Sequence, residues 1–154
     1  MTDGADLKNI RYIAEFGGGT GCITKEILRK SGKDAKVLCF EKDKKLYEYI
    51  KGSIKDKRLF VINDDAQNIR HYMEKHNIRQ FDCIFSGLPF SNLGAKKKLS
   101  IFYETKKALK NKGKFIFFKY IPNFEMRLHD YFKRSSVRFI FLNIPPAMVY
   151  VCDN

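Results

Sequence analysis

No apolar run in this chain is long enough to cross a bilayer. The longest, such as Phe115–Phe118 and Phe139–Leu142, are strand-sized, whereas a spanning helix takes about 20 apolar residues. No hydrophobic leader opens the sequence, so no signal peptide is expected. Cysteine is sparse: Cys22, Cys39, Cys83 and Cys152 are scattered and form no CxxC pair. That argues against a disulfide framework or zinc site and for reduced, buried thiols in a cytoplasmic protein. The three histidines, His71, His76 and His129, stand at no metal-ligand spacing, so no metal is expected. Repeats, low-complexity tracts and linker-like stretches are also missing, which reads as one domain over residues 1–154.

What the chain has in excess is positive charge. Thirty Lys+Arg against 17 Asp+Glu give +13, while 44% hydrophobic residues mark an ordered domain. The excess is uneven: Leu93 to Arg134 holds 12 basic and 3 acidic residues, a net of +9. Such a balance fits attraction to a polyanion, either an anionic membrane surface or nucleic acid. A lysine-solvated surface without a partner gives the same composition.

Apolar runs alternate with helix-like stretches, the signature of an α/β fold with a mostly parallel sheet and helices on both faces. Strands are expected at Arg11–Phe16, Lys36–Phe40, Leu59–Ile62, Phe81–Phe85 and Lys114–Tyr120. Helices are expected from Cys22 to Lys30, around Leu46, Tyr47 and Ile50, and around Ile69, Met73 and His76. A basic helix follows with Ile101, Phe102, Thr105, Ala108 and Leu109 on one face. Asn111-Lys112-Gly113 is expected to end it, and a shorter helix to begin near Asn123. Val137–Leu142 and Ala147–Cys152, joined through Pro145-Pro146, read as an antiparallel hairpin. The whole is a seven-stranded sheet with one reversed strand at its edge.

The sharpest motif is Glu15-Phe16-Gly17-Gly18-Gly19-Thr20-Gly21, where the first strand meets the first helix. An α/β sheet binds nucleotide-like ligands at that place. Glycines allow a tight turn and close backbone approach, although a purely structural turn would use them too. The spacing is neither that of pyrophosphate-binding dehydrogenases nor that of a P-loop. Glu41 ends the second strand, where a carboxylate can accept from two ribose hydroxyls. In this reading Glu41 is a binding group whose loss leaves the free protein's stability nearly unchanged.

These residues resemble class I S-adenosylmethionine-dependent methyltransferases, which implies a Rossmann-like fold and that cofactor. The resemblance places the methionine half over the loop glycines, the ribose on Glu41, and the adenine amine at Asn63-Asp64-Asp65-Ala66. Asp65 is the better match there, and an N-cap role for Asp64 or Asp65 is compatible with it. Phe81-Asp82-Cys83-Ile84-Phe85-Ser86-Gly87-Leu88-Pro89-Phe90 looks like the FD-x-[IV]-[VF]-SGLP segment of bacterial phospholipid N-methyltransferases. Asn143-Ile144-Pro145-Pro146-Ala147-Met148-Val149-Tyr150 is similar to that family's N-[LI]-PPA-x-V-[YW] tail, and Gly113–Tyr120 to its fifth strand. The resemblance covers about Ile10 to Val151. It implies N-methylation of an amine-bearing phospholipid headgroup of the phosphatidylethanolamine type.

Ribosomal RNA adenine N6-methyltransferases are the competing resemblance, with N-L-P-Y or N-P-P-Y at the same turn. Here Gly87 replaces their asparagine, whose side chain accepts from the exocyclic amine; Ser86 is adjacent and is a candidate substitute. Acceptor-pocket candidates are therefore Ser86, Gly87, Leu88, Pro89, Phe90, Tyr120 and Tyr150, with Ser86 also facing the cofactor. His129 is a candidate base, but a lone histidine on a helix is more often not one. Lys96–Lys98 follow the acceptor turn and are expected to meet an anionic surface while staying clear of the cofactor. About ten residues precede the first strand, fewer than in the phospholipid enzymes. An open pocket, closure by a partner subunit, another copy or the inner face of the membrane, or a non-catalytic cofactor-binding subunit all fit that.

Overall fold

The computed structural model describes residues 1–119, 128–140 and 147–154, apart from the side chain of His129. Its strands are β1 (Tyr12–Phe16), β2 (Lys36–Phe40), β3 (Leu59–Ile62), β4 (Phe81–Ser86), β5 (Leu109–Lys119), β6 (Arg134–Ile140) and β7 (Ala147–Asp153). They form one sheet in the order β3-β2-β1-β4-β5-β7-β6. The first five are mutually parallel where they pair, and β7 runs antiparallel to both β5 and β6. The reversed strand is thus inserted beside the edge rather than forming it. Edge strand β6 exposes all seven residues and carries Arg134 and Arg138, charges that discourage further pairing.

Helices α1 (Cys22–Lys30), α2 (Lys44–Ser53), α3 (Ile69–Lys75) and α4 (Ala95–Ala108) connect the parallel strands. Asp43 caps α2 by accepting from the Leu46 N–H at 3.0 Å. Because both sheet faces are covered, β1, β2 and β4 are almost entirely buried and read as continuous apolar runs. Ile13, Val37, Cys83 and Phe85 pack with Ile27 of α1 on one face. Ala14, Leu38, Phe40, Ile84, Phe115 and Phe117 pack on the other with α3 and α4.

Phe102 of α4 is the hub of that second face. It stacks on Phe90 at 5.2 Å and meets Phe115 at 5.8 Å, Phe117 at 6.2 Å and Phe132 at 6.4 Å. Phe90 therefore lies in the core, only 1% exposed, which removes its ring from the acceptor-pocket candidates.

Other boundaries differ from expectation for local reasons. Leu109 faces the core as expected but opens β5, paired with Phe81, instead of closing α4. Asn111-Lys112-Gly113 does not stop a helix; it is the irregularity between the Phe81–Leu109 and Cys83–Lys114 pairings, with Lys112 at φ +66°. Asn154 braces it, accepting from Lys112 N at 3.1 Å and donating to Gly113 O at 3.0 Å. Cys39, Cys83 and Cys152 are buried thiols, but Cys22 is exposed. Tyr120, the helix near Asn123 and the Asn143–Pro146 part of the tail motif lie outside the described residues.

Phe102→Ala should destabilise the fold by about 3–5 kcal/mol, the range for emptying a buried aromatic site. Urea unfolding with an unchanged denaturant slope checks it; a loss below about 1 kcal/mol would contradict the hub assignment.

Candidate active site

Parallel pairing brings the carboxyl ends of β1, β2, β3 and β4 to one edge of the sheet, where such folds bind ligands. The glycine loop leaves β1 there with Gly17, Gly19 and Gly21 at φ +74°, +57° and +79°. Both Gly17 N and Gly18 N donate to Phe40 O, at 2.8 and 3.2 Å, which ties the loop to the end of β2. A Cβ on Gly18 would lie 2.5 Å from Cys39 Sγ and 2.7 Å from Ile50 Cδ1. At Gly19 a Cβ would meet nothing within 4 Å, so this glycine of the loop faces open space. Thr20 is exposed and exchanges a 3.3 Å hydrogen bond with the Cys22 thiol. Gly21 N closes the turn on Gly18 O at 2.8 Å. The Phe16 ring packs in the core against Phe40 at 5.8 Å, so Phe16 serves the loop through its backbone.

Glu15 does not reach the cleft. It is fully buried and accepts from Thr24 Oγ1 at 2.6 Å, while its Oε1 takes no hydrogen bond among the described residues. Burial pushes its carboxyl up to about 7. Glu15 therefore supports the loop from beneath. Glu41 supports it from the rim: Oε2 accepts from Gly19 N at 2.8 Å and Oε1 from Asp43 N at 2.9 Å.

Glu41, Phe40, Asp65, Leu88, Leu93 and Lys97 line a cleft of about 160 Å³ beside the loop. Asp64 also lines the cleft, with its carboxylate held by local structure: it accepts from Asp65 N at 2.7 Å, Asn68 Nδ2 at 2.9 Å and Tyr72 OH at 3.1 Å. Asp65 caps the turn Ala66–Asn68 through Gln67 N at 3.2 Å and pairs with Lys97 Nζ at 2.5 Å. Lys97 was expected to lie clear of the cofactor region, yet it closes one wall of this cleft. Three consecutive helical residues point about 100° apart, so Lys96 is fully outward while Lys97 turns in.

The acceptor turn meets the loop directly. Gly87 N donates to Phe16 O at 2.8 Å, and a Cβ on Gly87 would stand 2.8 Å from Gly17 O. Ser86 is fully buried and its Oγ accepts from Leu88 N at 3.3 Å. Leu88 reaches the cleft and Pro89 is exposed. Tyr150 is half-buried on β7 and stacks on Phe117 at 4.8 Å.

Sequence reasoning missed Lys97, Leu93 and Lys119. Lys119 is 4% exposed, with Nζ 5.9 Å from the Tyr150 ring centroid. Burial, with help from Lys98, pulls its ammonium down to about 8. A lysine directly after the run Phe115–Phe118 was the available signal. Among the described residues no cluster of His, Cys, Asp and Glu suits a metal, and no helix is long and apolar enough to cross a membrane.

The residues fit S-adenosylmethionine. Phe40, Leu88 and Leu93 offer an apolar slot, Glu41 and Asp65 are acceptors at its margin, and the space over Gly19 admits a chain lying against backbone. Fold and site together define a class I S-adenosylmethionine-dependent methyltransferase. The chain belongs to the spermine/spermidine synthase domain family, whose model matches residues 3–153. It is similar to an ornithine lipid N-methyltransferase of Singulisphaera acidiphila, 28% identical over 94% of this chain and 77% of the relative. A ribosomal RNA small subunit methyltransferase H of Flavobacterium johnsoniae is 32% identical over 58% of this chain but 29% of its own length. Among solved structures, the T. thermophilus 16S rRNA N2 G1207 methyltransferase, in complex with AdoMet and guanosine, superposes with a TM-score of 0.70. It shares 17% identity and covers 96% of this chain and 38% of its own.

Glu41→Ala should weaken cofactor binding by about 1.5–3 kcal/mol in a calorimetric titration. Contrary to the sequence-based expectation, it should also lower the melting temperature without cofactor, since Gly19 N and Asp43 N lose their acceptor. Glu15 sets a pH dependence. Its pKa rises from 4.5 unfolded to about 7 folded, so the unfolded chain loses its proton first. Stability then falls as pH climbs from 4.5 through about 7. Glu15→Gln keeps the Thr24 contact without the charge. It should match the parent near pH 4.5 and exceed it by about 3 kcal/mol above pH 7. A gap between the two urea-unfolding curves that stays constant with pH would refute this.

Proposed function

We propose that this chain transfers a methyl group from S-adenosylmethionine to the amine of a membrane-lipid headgroup. The observation that carries the reading is Gly87. An adenine amine needs a side-chain acceptor at this turn, because its lone pair is delocalised into the ring. A side chain on Gly87 would run into Gly17 O, Ser86 is fully buried with its hydroxyl beneath Leu88 N, and the Phe90 ring is in the core. A saturated amine asks for none of these once it is neutral. The lipid-methylating relative matches nearly the whole chain, and the family is named for two alkylamines, which supports the same acceptor class.

The bound cofactor supplies an activated methyl group on a sulfonium, so the protein binds, orients and excludes water. Gly17–Gly21 and Glu41 would hold the methionine and ribose portions, with Asp65 and the Ala66 backbone beside the adenine. Leu88 and Leu93 keep that slot apolar. The acceptor must lose a proton: an amine with a pKa near 10.4 is neutral at pH 7 only at a cost of about 4–5 kcal/mol. A low-dielectric site and a nearby cation both reduce that cost. Lys119 at the end of β5 would be such a cation for an amine held against Tyr150, whose ring centroid lies 5.9 Å from its Nζ.

The test is incubation with radiolabelled cofactor, separately with phosphatidylethanolamine, an ornithine lipid and ribosomal RNA. Label in a lipid amine is expected. Label in RNA adenine would replace this reading with the nucleic-acid one. Cofactor binding with no label in any acceptor would favour a non-catalytic subunit.

A further inference from the structure

Helix α4 buries Ile101, Phe102, Thr105 and Ala108 and turns a different stripe outward. That stripe is Lys96, Leu99, Tyr103, Lys106 and Lys107, all exposed. Leu99 and Tyr103 are 52% and 48% exposed and stand one turn apart, so they share a face. Lys107 Nζ lies 4.2 Å from the Tyr103 ring centroid. Glu104, the acidic residue of this helix, is held by Arg70 at 2.7 Å and does little to offset the lysines.

A groove of about 720 Å³ runs between α3 and α4 beside this stripe. Met73, Ile78 and Ala108 supply its apolar lining; Arg70, Arg79 and Lys107 supply cations, against Glu74. At the other end of the helix, Lys97 lines the cofactor cleft with Leu93. The outward stripe therefore starts at Lys96, next in sequence to a wall of the cleft.

We infer that this face of α4 docks on an anionic lipid bilayer, with Leu99 and Tyr103 entering the headgroup region and Lys96, Lys106 and Lys107 meeting lipid anions. The inference rests on the lipid-acceptor reading and adds how the headgroup reaches the cleft. Cations alone would suit any polyanion. Leu99 at the centre of the stripe offers neither a phosphate contact nor a stacking plane to a nucleic acid. A bilayer interface accepts both an apolar side chain and its cationic surround.

The experiment is co-sedimentation of the whole chain with phosphatidylcholine vesicles and with vesicles enriched in phosphatidylglycerol. Binding to the anionic vesicles only, weakened by salt, is expected. L99S/Y103S should lose at least about tenfold in vesicle affinity, and K106E/K107E should lose it as well, with melting temperature and cofactor affinity unchanged. Failure of the parent to bind anionic vesicles would overturn the inference. So would undiminished binding by L99S/Y103S, or RNA binding that this double substitution abolishes. Methylation of detergent-dispersed lipid reports on the acceptor separately. Its absence beside intact vesicle binding removes the acceptor reading and leaves the docking face. Its persistence in L99S/Y103S without vesicle binding assigns the loss to docking.

Discussion

Two strand-ending turns meet backbone to backbone in this protein, and the geometry of the site follows from that contact. Pairing of Phe16 with Ser86 sets the ends of β1 and β4 side by side. The chain then leaves both strands through glycine: Gly87 N donates to Phe16 O, and Gly17 lies against Leu88, whose Cδ2 would be 3.0 Å from a Cβ there. Neither turn has room for bulk on the side facing the other. Any displacement of the acceptor turn is therefore felt at the cofactor loop.

Loop position is held from two further directions by the same residue type in different settings. Glu15, sealed under the loop with Thr24, holds its proton up to about pH 7 because burial penalises its charge. Glu41 lies at the rim, where two backbone N–H groups donate to it. Below about pH 7 one carboxyl braces without placing a charge beneath the loop, and the other presents oxygen to the cleft while tying Gly19 to it. Oxygen lone pairs remain on Glu41 after those two bonds, since each carboxylate oxygen accepts more than one donor. Tethering the loop and gripping a ribose are compatible duties.

The succession of strands along the chain and the glycine loop between β1 and α1 were legible because they depend on local signals: buried parallel strands as apolar runs and glycines at a strand-to-helix turn. β2, β3 and α1 begin and end where pattern alone placed them. The misreadings share a cause, which is that they required distant partners. Phe90 looked like a ring beside the acceptor because its neighbours in sequence form that turn; Phe102 and Phe117, which claim it, are contributed by α4 and β5. Leu109 looked helical by spacing, but β4 recruits it through Phe81. Glu15 belongs to the motif by sequence and to the core by position.

Positive charge shows the same separation between sequence and surface. From Leu93 to Arg134 the run of basic residues suggested one patch, yet the fold divides it. Lys97 goes to Asp65, Lys110 to Asp82 at 2.6 Å, and Lys133 to Asn111 at 3.0 Å; Lys119 is buried. Each of these lysines is spent on structure or on the site. Adjacent residues on a helix diverge, whereas residues three or four apart converge. The outward face is therefore assembled from Lys96, Leu99, Tyr103 and Lys106–Lys107, which include two side chains that a count of charge never registers. The proposed lipid docking rests on the apolar centre of that assembled face, which a net charge of +13 alone does not convey.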